Sequence, residues 1–400
     1  MTIKIKGIDL SESTQEILRK YQFIVLAPNN WNGQWMNRQQ LFSRIAPYSN
    51  VIYSQGIPSV WELSSPAQLL KHPFSNSAIY DSAQIDKPSS LLFHWPRLKR
   101  ISRWAIKQHS RTLAAKFNNR SRRVLYVFHP NYAHYIDTIK HDLLIYHPYD
   151  DFSKQGAHAE QLSQQEGKLL KQADLVITPS SDVSCNMAQR SGRDDIKTIK
   201  NGVDFDAFSQ SQQLQCPEDL ARITGPTIGY IGSINVKVDL NLLDFLAEQL
   251  PHVQQILIGP IGNLTGKGEL FNQLTNRPNV HCLGAKDYRR LPAYAGHIDC
   301  HLMCYDTSPT LWARLAYPLK LNEYLATKKP LISCPLSSVE DQEQLMDVCS
   351  TPQQWLEAIN QRLSQTSEKL AAGYQYASQQ SWDRRVQQLA TLLSSAKADK

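Results

Sequence analysis

The sequence predicts two consecutive α/β domains with parallel sheets, closed by a helical tail. Three observations carry this. At 400 residues the chain exceeds what one hydrophobic core usually holds. Short apolar runs alternate with longer amphipathic ones throughout, the pattern of strands joined by crossover helices. The alternation then starts afresh at Thr227, after a polar stretch, Ser209–Gln215, followed by Pro217 and Gly225-Pro226, which reads as a linker.

In the first half, strands are expected at Phe23–Ala27, Val51–Tyr53, Val124–Phe128, Leu143–Tyr146, Leu175–Thr178 and Lys197–Ile199. Helices are expected near Gln34–Ala46, Ala157–Lys171 and Asp182–Arg190. In the second half, strands fall at Ile228–Ile231, Gln255–Ile258, Val280–Leu283, Cys300–Met303 and Leu331–Ser333. Helices fall near Leu240–Leu250, Tyr288–Tyr294, Leu319–Ala326 and Val339–Met346, and Thr351–Ser395 reads as all helical. The expected division is residues 1–208, a linker at 209–226, a second domain at 227–375 and a terminal helix at 376–400 that returns to the first domain. Two Rossmann-like lobes facing each other across a cleft follow from this order, with ligands at the carboxyl ends of strands.

Composition excludes several classes. Hydrophobic residues make up 42% and charged residues 20%, so the chain is neither disordered nor fibrous. Mean hydropathy is −0.41, and no uncharged apolar run approaches the roughly 20 residues of a membrane helix. The opening MTIKIKGIDLSESTQ lacks the apolar core of a secretory signal. Seven scattered cysteines suit a reducing cytosol better than a disulfide framework. No repeat recurs at a period of about 20–50 residues.

The net charge of +7 is local in origin. From Lys87 to Ile136 there are eleven Lys and Arg and no acid, while the rest of the chain is slightly acidic. On a helix, Arg100, Arg103, Lys107 and Arg111 fall within an arc of about 80°. Leu98, Ile101, Ala105, Ile106, Leu113 and Phe117 fall mostly on the other side, with Trp104 at the flank and Trp95 at the helix start. That is the pattern of an interfacial helix on anionic lipid. A core-packed helix with a solvated cationic face has the same pattern, and no nucleic-acid module is present.

The most informative run is Tyr317 to Ser333, YPLKLNEYLATKKPLIS. Pro318 suits the first turn of a helix. Free N–H groups and the helix dipole make an anion site there. Lys320 adds a positive charge toward a phosphate, and Glu323, one turn on, reaches the hydroxyls of a ribose. An ordinary amphipathic helix with a surface Lys and Glu fits the same spacing. Gly232-Ser233 opens the loop after the first strand of this half, where small residues let the backbone approach a diphosphate and Lys237 neutralises it; a plain turn is the alternative.

These motifs, preceded by NVHxLG and a D-C-H-L-M-C-Y strand, resemble the donor lobe of GT-B glycosyltransferases, especially the family 4 clan. Thr227–Ser233 with Asp239-Leu-Asn-Leu-Leu, Ile256–Pro260, and Asn201-Gly-Val-Asp204 with Phe208 match further pieces in order. So do Asn30–Gln40 with Trp35 and Arg38, Tyr149-Asp-Asp-Phe152, Glu166 and Ala173–Ser180 in the first lobe. The resemblance covers roughly residues 20–385. It departs from the family at one position: the Glu-x7-Glu pair of retaining members has Glu323 as its second member and Leu315 as its first. Inverting glucuronosyltransferases of exopolysaccharide assembly also lack that first Glu and use an aspartate of the first lobe as base.

The resemblance implies a metal-independent enzyme moving a sugar from a nucleotide diphosphate sugar to a glycan or lipid-linked acceptor in cell-surface polysaccharide synthesis. No cofactor beyond the donor substrate is expected. Lys320, Lys237, Gly232 and Ser233 would hold the diphosphate, Glu323 the ribose, and Lys286 would touch the donor near its nucleobase. Asp150, at a strand end, would be the general base, unless it and Asp151 serve as a helix N-cap. His129, ending another strand, would touch the sugar or pack structurally. Asp204-Phe-Asp206 reads as a loop rather than a metal site, and Cys300, His301 and Cys304 read as core. The enzyme is expected in the cytoplasm, peripheral on the inner membrane face through the basic segment 97–123, with no nucleic-acid partner. On the same fold, the rival readings are a nucleotide-sugar epimerase and a non-catalytic assembly partner.

Overall fold

The computed structural model describes residues 10–60, 74–95, 97–118, 121–154, 159–306, 317–339 and 341–396. Leu315, Pro96 and Arg120 lie outside the described residues. The chain divides into two compact units. The first is Asp9–Lys200 with Asp383–Lys400, and the second contains Asn201–Trp382.

The first unit is built on an eight-stranded sheet: β1 (Tyr21–Leu26), β2 (Asn50–Ser54), β3 (Asn76–Tyr80), β4 (Ala83–Lys87), β5 (Arg122–Val127), β6 (Leu143–Tyr146), β7 (Leu175–Thr178) and β8 (Lys197–Thr198). Its order is β3-β4-β2-β1-β5-β6-β7-β8. All neighbours pair in parallel except the β3–β4 hairpin. That hairpin turns through Asp81 and Ser82, both at positive φ, 46° and 66°. Two such residues in succession match the right-handed twist of the flanking strands. β1, β5 and β6 read as apolar runs because crossover helices cover both faces of a parallel sheet; β1 and β6 are buried at every position.

The basic helix runs over Lys99–Ala114. Its inward face is Ser102, Ala105, Ile106, His109, Ser110 and Leu113. Buried His109 fixes the rotation, bridging Asp86 on β4 and the Tyr135 hydroxyl at 2.8 Å each. Ser54 and Lys116 complete the bonding of Asp86. The cationic side chains therefore point outward, as expected. The apolar side chains do not all oppose them. Leu98 and Ile101 are 40% and 47% exposed beside the basic face, and Trp104 is 56% exposed.

The second sheet contains β9 (Thr227–Ile231), β10 (Gln254–Ile258), β11 (Val280–Gly284), β12 (Cys300–Met303), β13 (Leu331–Ser333) and β14 (Asp347–Val348). The order is β11-β10-β9-β12-β13-β14, wholly parallel. Numbered from its own first strand this is 3-2-1-4-5-6, the dinucleotide-fold order, and lateral direction reverses between β9 and β12.

Residues 209–226 are not a linker. Short helices at Ser211–Gln213 and Glu218–Ala221 fold into the second unit. Leu220 joins its core, and a Cβ on Gly296 would lie 2.4 Å from Ser211. The polar composition misleads because Asp219 is internally paired with Lys286 and Tyr294. The unit boundary falls earlier, at Asn201. There Gly202 packs against Trp382, and Val203 bridges Ser381. The all-helical tail is three helices, Pro352–Ser364, Lys369–Ser378 and Trp382–Ser395. In the last of them, Asp383 pairs with Arg44 and the Leu393 carbonyl accepts from Tyr21.

Candidate functional site

In the second unit the loop after β9 meets the helix Leu319–Ala326. Tyr324 ties that helix to the strand end. Its hydroxyl accepts from the Ile231 N–H at 2.7 Å, and its ring stacks on His301 of β12 at 4.2 Å. Lys320, one turn earlier, is thereby laid against Gly232. A Cβ at Gly232 would stand 2.6 Å from Lys320 Nζ, and the glycine's φ of +153° is one that side chains rarely adopt. The backbone angle favours glycine here, and a side chain would also have to push the lysine aside. Gly259, after β10, repeats the requirement: its Cβ would fall 2.0 Å from the Gly232 carbonyl, at φ +148°. Ser233 continues the loop, its carbonyl accepting from the Tyr230 hydroxyl at 3.1 Å.

Electrostatics join the remaining residues. Lys320 Nζ lies 3.7 Å from the Tyr230 ring centroid and 5.1 Å from that of Tyr305. Burial pushes its pKa down to about 7; Lys237 pushes the same way, and Glu323 opposes it. Burial raises Glu323 to about 8, against a hydrogen bond from Tyr288 and the charge of Lys320. Asp204 of the NGVD run adds to the rise. Gly232, Ser233, Lys237, Lys320 and Glu323 thus form one cluster at the reversal point of the sheet. Its acid and base sit near neutrality, which is where ligand binding moves protons most easily.

Lys286 has other partners. Its ammonium pairs with Asp219 at 2.6 Å and lies 5.4 Å from the Tyr294 ring centroid. Its charge is therefore answered within the protein. Cys300 and Cys304 are buried, with thiols pushed far up by burial, and His301 donates from Nε2 to the Ala295 carbonyl at 3.0 Å. These are core residues, as their alternation predicts.

In the first unit the two adjacent acids after β6 separate into different roles. Asp151 is committed to structure. It accepts from Arg190 at 3.1 Å and from Ser153 N and Oγ, capping the turn Phe152–Lys154. Arg190 also binds Glu166 at 2.7 Å, which the Tyr146 hydroxyl reaches at 2.8 Å. Asp150 is 4% exposed, and its Oδ1 accepts the Asp151 N–H at 3.0 Å.

His129 follows β5. Its Nδ1 accepts the Asn131 N–H at 3.1 Å, capping Pro130–Tyr135, and its ring meets Phe152 edge-on at 4.5 Å. Burial, then the charge of Arg38, pushes its pKa down to about 4. The ring is neutral at physiological pH, and with Nδ1 accepting, Nε2 carries the proton. The structure thus gives His129 a capping role and leaves it a donor. Arg38, which carried only a family resemblance in the sequence, is a buried cation at this same strand end. The signal was an arginine in the first turn of a helix following the first strand.

No model of a known protein family matches the sequence. The putative teichuronic acid biosynthesis glycosyltransferase TuaH of Bacillus subtilis (strain 168) is 31% identical over 187 residues, 44% of this chain and 46% of that protein. The match spans less than half the length of that curated relative. Among solved structures, Anabaena Alr3699/HepE in complex with UDP-glucose superposes with a TM-score of 0.68 at 17% identity, covering 94% of this chain and 99% of that one. Sucrose-phosphate synthase (tll1590) from Thermosynechococcus elongatus gives 0.70 at 14% identity, covering 94% and 98%. The strand orders, the reversal points and these likenesses agree on one architecture: the chain has the GT-B fold that these glycosyltransferases share.

Proposed function

We propose that the chain is a glycosyltransferase. It takes a sugar from a nucleotide diphosphate sugar, of the UDP type, and passes it to a glycan or lipid-linked acceptor in cell-surface polysaccharide synthesis. The observation that carries this reading is the packing of Lys320 against Gly232 at the reversal point of the second sheet. There the backbone of Gly232 and Ser233 approaches the diphosphate. Lys320 and Lys237 answer the charge that grows on it as the anomeric bond breaks. This is preorganised electrostatic stabilisation, and it calls for no metal. Glu323 receives the ribose hydroxyls, and Lys286, already held by Asp219, borders the nucleobase. Asp150 takes the proton of the acceptor hydroxyl, and the neutral His129 donates from Nε2 to a sugar oxygen. The names of the relatives support the substrate class: teichuronic acid biosynthesis for TuaH, UDP and UDP-glucose for HepE.

The reading includes work at the inner face of the cytoplasmic membrane. Among the described residues, eight of the nine exposed large apolar side chains lie between Phe74 and Trp104 in the sequence, and Leu98, Ile101 and Trp104 belong to the basic helix or its start. Aromatic and basic side chains side by side suit an anionic lipid surface. No helix among the described residues is long and apolar enough to cross a membrane.

A thermal-shift screen of UDP-, GDP- and dTDP-sugars, followed by acceptor-dependent release of the nucleoside diphosphate, tests the proposal. A ligand at 100 times its Kd adds about 2.7 kcal/mol to stability. The expected result is a shift with UDP-sugars and product formation only with acceptor. Absence of any shift across the panel sinks the reading, and acceptor-independent isomerisation of the sugar replaces it with an epimerase.

A further inference from the structure

The first sheet reverses its lateral direction between β1 and β5, just as the second does between β9 and β12. Open α/β sheets take ligands at the carboxyl ends of such strands. Arg38 stands at this point, in the first turn of the helix Asn37–Ile45 that follows β1. Its side chain is 1% exposed. One guanidinium nitrogen, Nη2, donates to Asn29 Oδ1, and the group lies 4.3 Å from the Tyr149 ring centroid. Nε and Nη1 have no hydrogen-bond partner. The neighbours that favour its charge are Tyr149, Tyr53, whose hydroxyl is also a hydrogen-bond partner, and Tyr132, none of them a carboxylate.

A guanidinium does not give up its proton, so this charge is permanent. Removing an ion from water costs several kcal/mol unless a counter-charge or full hydrogen bonding offsets it. Here rings, Asn29 Oδ1 and the Tyr53 hydroxyl do part of that, and Nε and Nη1 stay unanswered. The helix adds positive potential of its own. Its first turn carries no acid, and Met36 at its N-cap has no side-chain oxygen to offer. Neither histidine nearby competes as a cation, since burial and Arg38 hold His129 and His147 neutral. Buried Asn37 Oδ1, also without a partner, is an acceptor suited to a sugar hydroxyl.

We propose that the reversal point of the first sheet is an oxyanion site in which Arg38 receives a carboxylate or phosphate group carried by the acceptor sugar. Assigning the anion to the acceptor rests on the glycosyltransferase reading; the anion site itself does not. Rings of Tyr149 and Phe128 flank it, and Asn29 holds the guanidinium in orientation. The acceptor class is then an acidic glycan rather than a neutral one.

The test uses the full chain without nucleotide, at constant ionic strength. Glucuronate and inorganic phosphate are titrated separately by calorimetry and thermal shift, with glucose as the neutral control. Saturable binding of one anion is expected, and which of the two binds distinguishes a sugar acid from a sugar phosphate. Arg38→Gln should weaken that binding roughly 10–100-fold, the range for hydrogen bonds to a charged group. It should also leave the anion-free melting temperature unchanged or higher, because an uncompensated buried charge is gone. Arg38→Lys, which keeps charge without the planar fork, should bind between the two. UDP affinity should not change in Arg38→Gln, so a failed donor assignment is told apart from a failed anion site. No binding of either anion to the wild type, or equal binding by Arg38→Gln, overturns the proposal. A lower anion-free melting temperature in both variants also overturns it, making Arg38 a packing post for Tyr149.

Discussion

Both sheets reverse direction beside their first strand, and each places a cation there, but the two cations meet burial in different ways. Lys320 is surrounded by rings, faces Glu323, and has its pKa brought to about 7. A pKa that close to neutrality means that an anion placed beside it would raise its charged fraction. Arg38 is as deeply placed and has no acid beside it, and its charge stays. Identical topology therefore yields one site whose electrostatics adjust and one whose demand for an anion is fixed. The surfaces differ in the same sense. The first unit carries the exposed apolar and basic belt, while the second contributes a single exposed large apolar side chain, Ile261, among the described residues.

The largest expected effect separates chemistry from binding. Asp150→Asn should cut turnover roughly 10²–10⁴-fold, the usual contribution of a general base. UDP affinity, a property of the other unit, should stay near wild type. A variant that keeps more than about a tenth of its rate would show that Asp150 is not the base. Product anomeric configuration, read by NMR, is the independent check, with inversion expected.

Next comes the belt. Changing Arg100, Arg103, Lys107 and Arg111 together to Gln should lower affinity for anionic vesicles by roughly a hundredfold or more, because each basic residue near such a surface contributes about 1 kcal/mol. Trp104→Ala should give a smaller loss. Cosedimentation of the wild type should weaken with salt as screening shortens. Equal binding to neutral vesicles would move the basic face to another partner. Anion and UDP binding should be untouched, since the belt lies outside both strand-end clusters.

Donor contacts rank third. Lys320→Met and Glu323→Gln should each weaken UDP by roughly 10–100-fold, as expected for a charge-assisted hydrogen bond. Unchanged affinity in both would remove the second reversal point from the donor site.

The sequence showed the second unit more plainly than the first, for physical reasons. β9, β10, β12 and β13 are buried on both faces and so read as apolar runs between turn residues. The β3–β4 hairpin escaped because β3 lies largely exposed and its turn uses Asp81-Ser82 without the glycine that signals such turns. Residues 209–226 misled because Asp219 finds its cation 67 positions away, which local polarity does not reveal. Helical arithmetic found the basic face of Lys99–Ala114 but misplaced Ile101, because buried His109, not the largest side chains, sets which side faces in. Lys320 and Glu323 were legible from spacing on a helix start. Arg38 was not, since its meaning lies in donors left unpaired, a property of packing.

The smallest effect is the sharpest contrast between the two cations, and it is read from pH. Lys320 titrates at about 7 rather than its ordinary 10.5. The folded protein thus binds fewer protons than the unfolded chain between those values, so stability attributable to this group rises with pH across that window. Glu323, raised from 4.5 to about 8, acts oppositely: its contribution falls as pH rises between 4.5 and 8. Without ligand, Lys320→Met should therefore be more stable than wild type near about pH 6, where a charged ammonium is buried at a cost. The advantage should fade as pH climbs from about 7 toward about 10. UDP affinity of the wild type should drop as pH rises through about 7, by no more than about tenfold per unit, because binding then requires Lys320 to take up a proton. Loss of the Glu323 proton at higher pH adds a negative charge and pushes in the same direction. Lys320→Arg should flatten the first part of that slope. Arg38→Gln should change stability by an amount independent of pH from about 6 to 9, since arginine has no proton to exchange there. Differential scanning calorimetry across this range, with and without UDP, decides the point: parallel pH profiles for the Lys320 and Arg38 variants would erase the distinction between an adjustable cation and a fixed one.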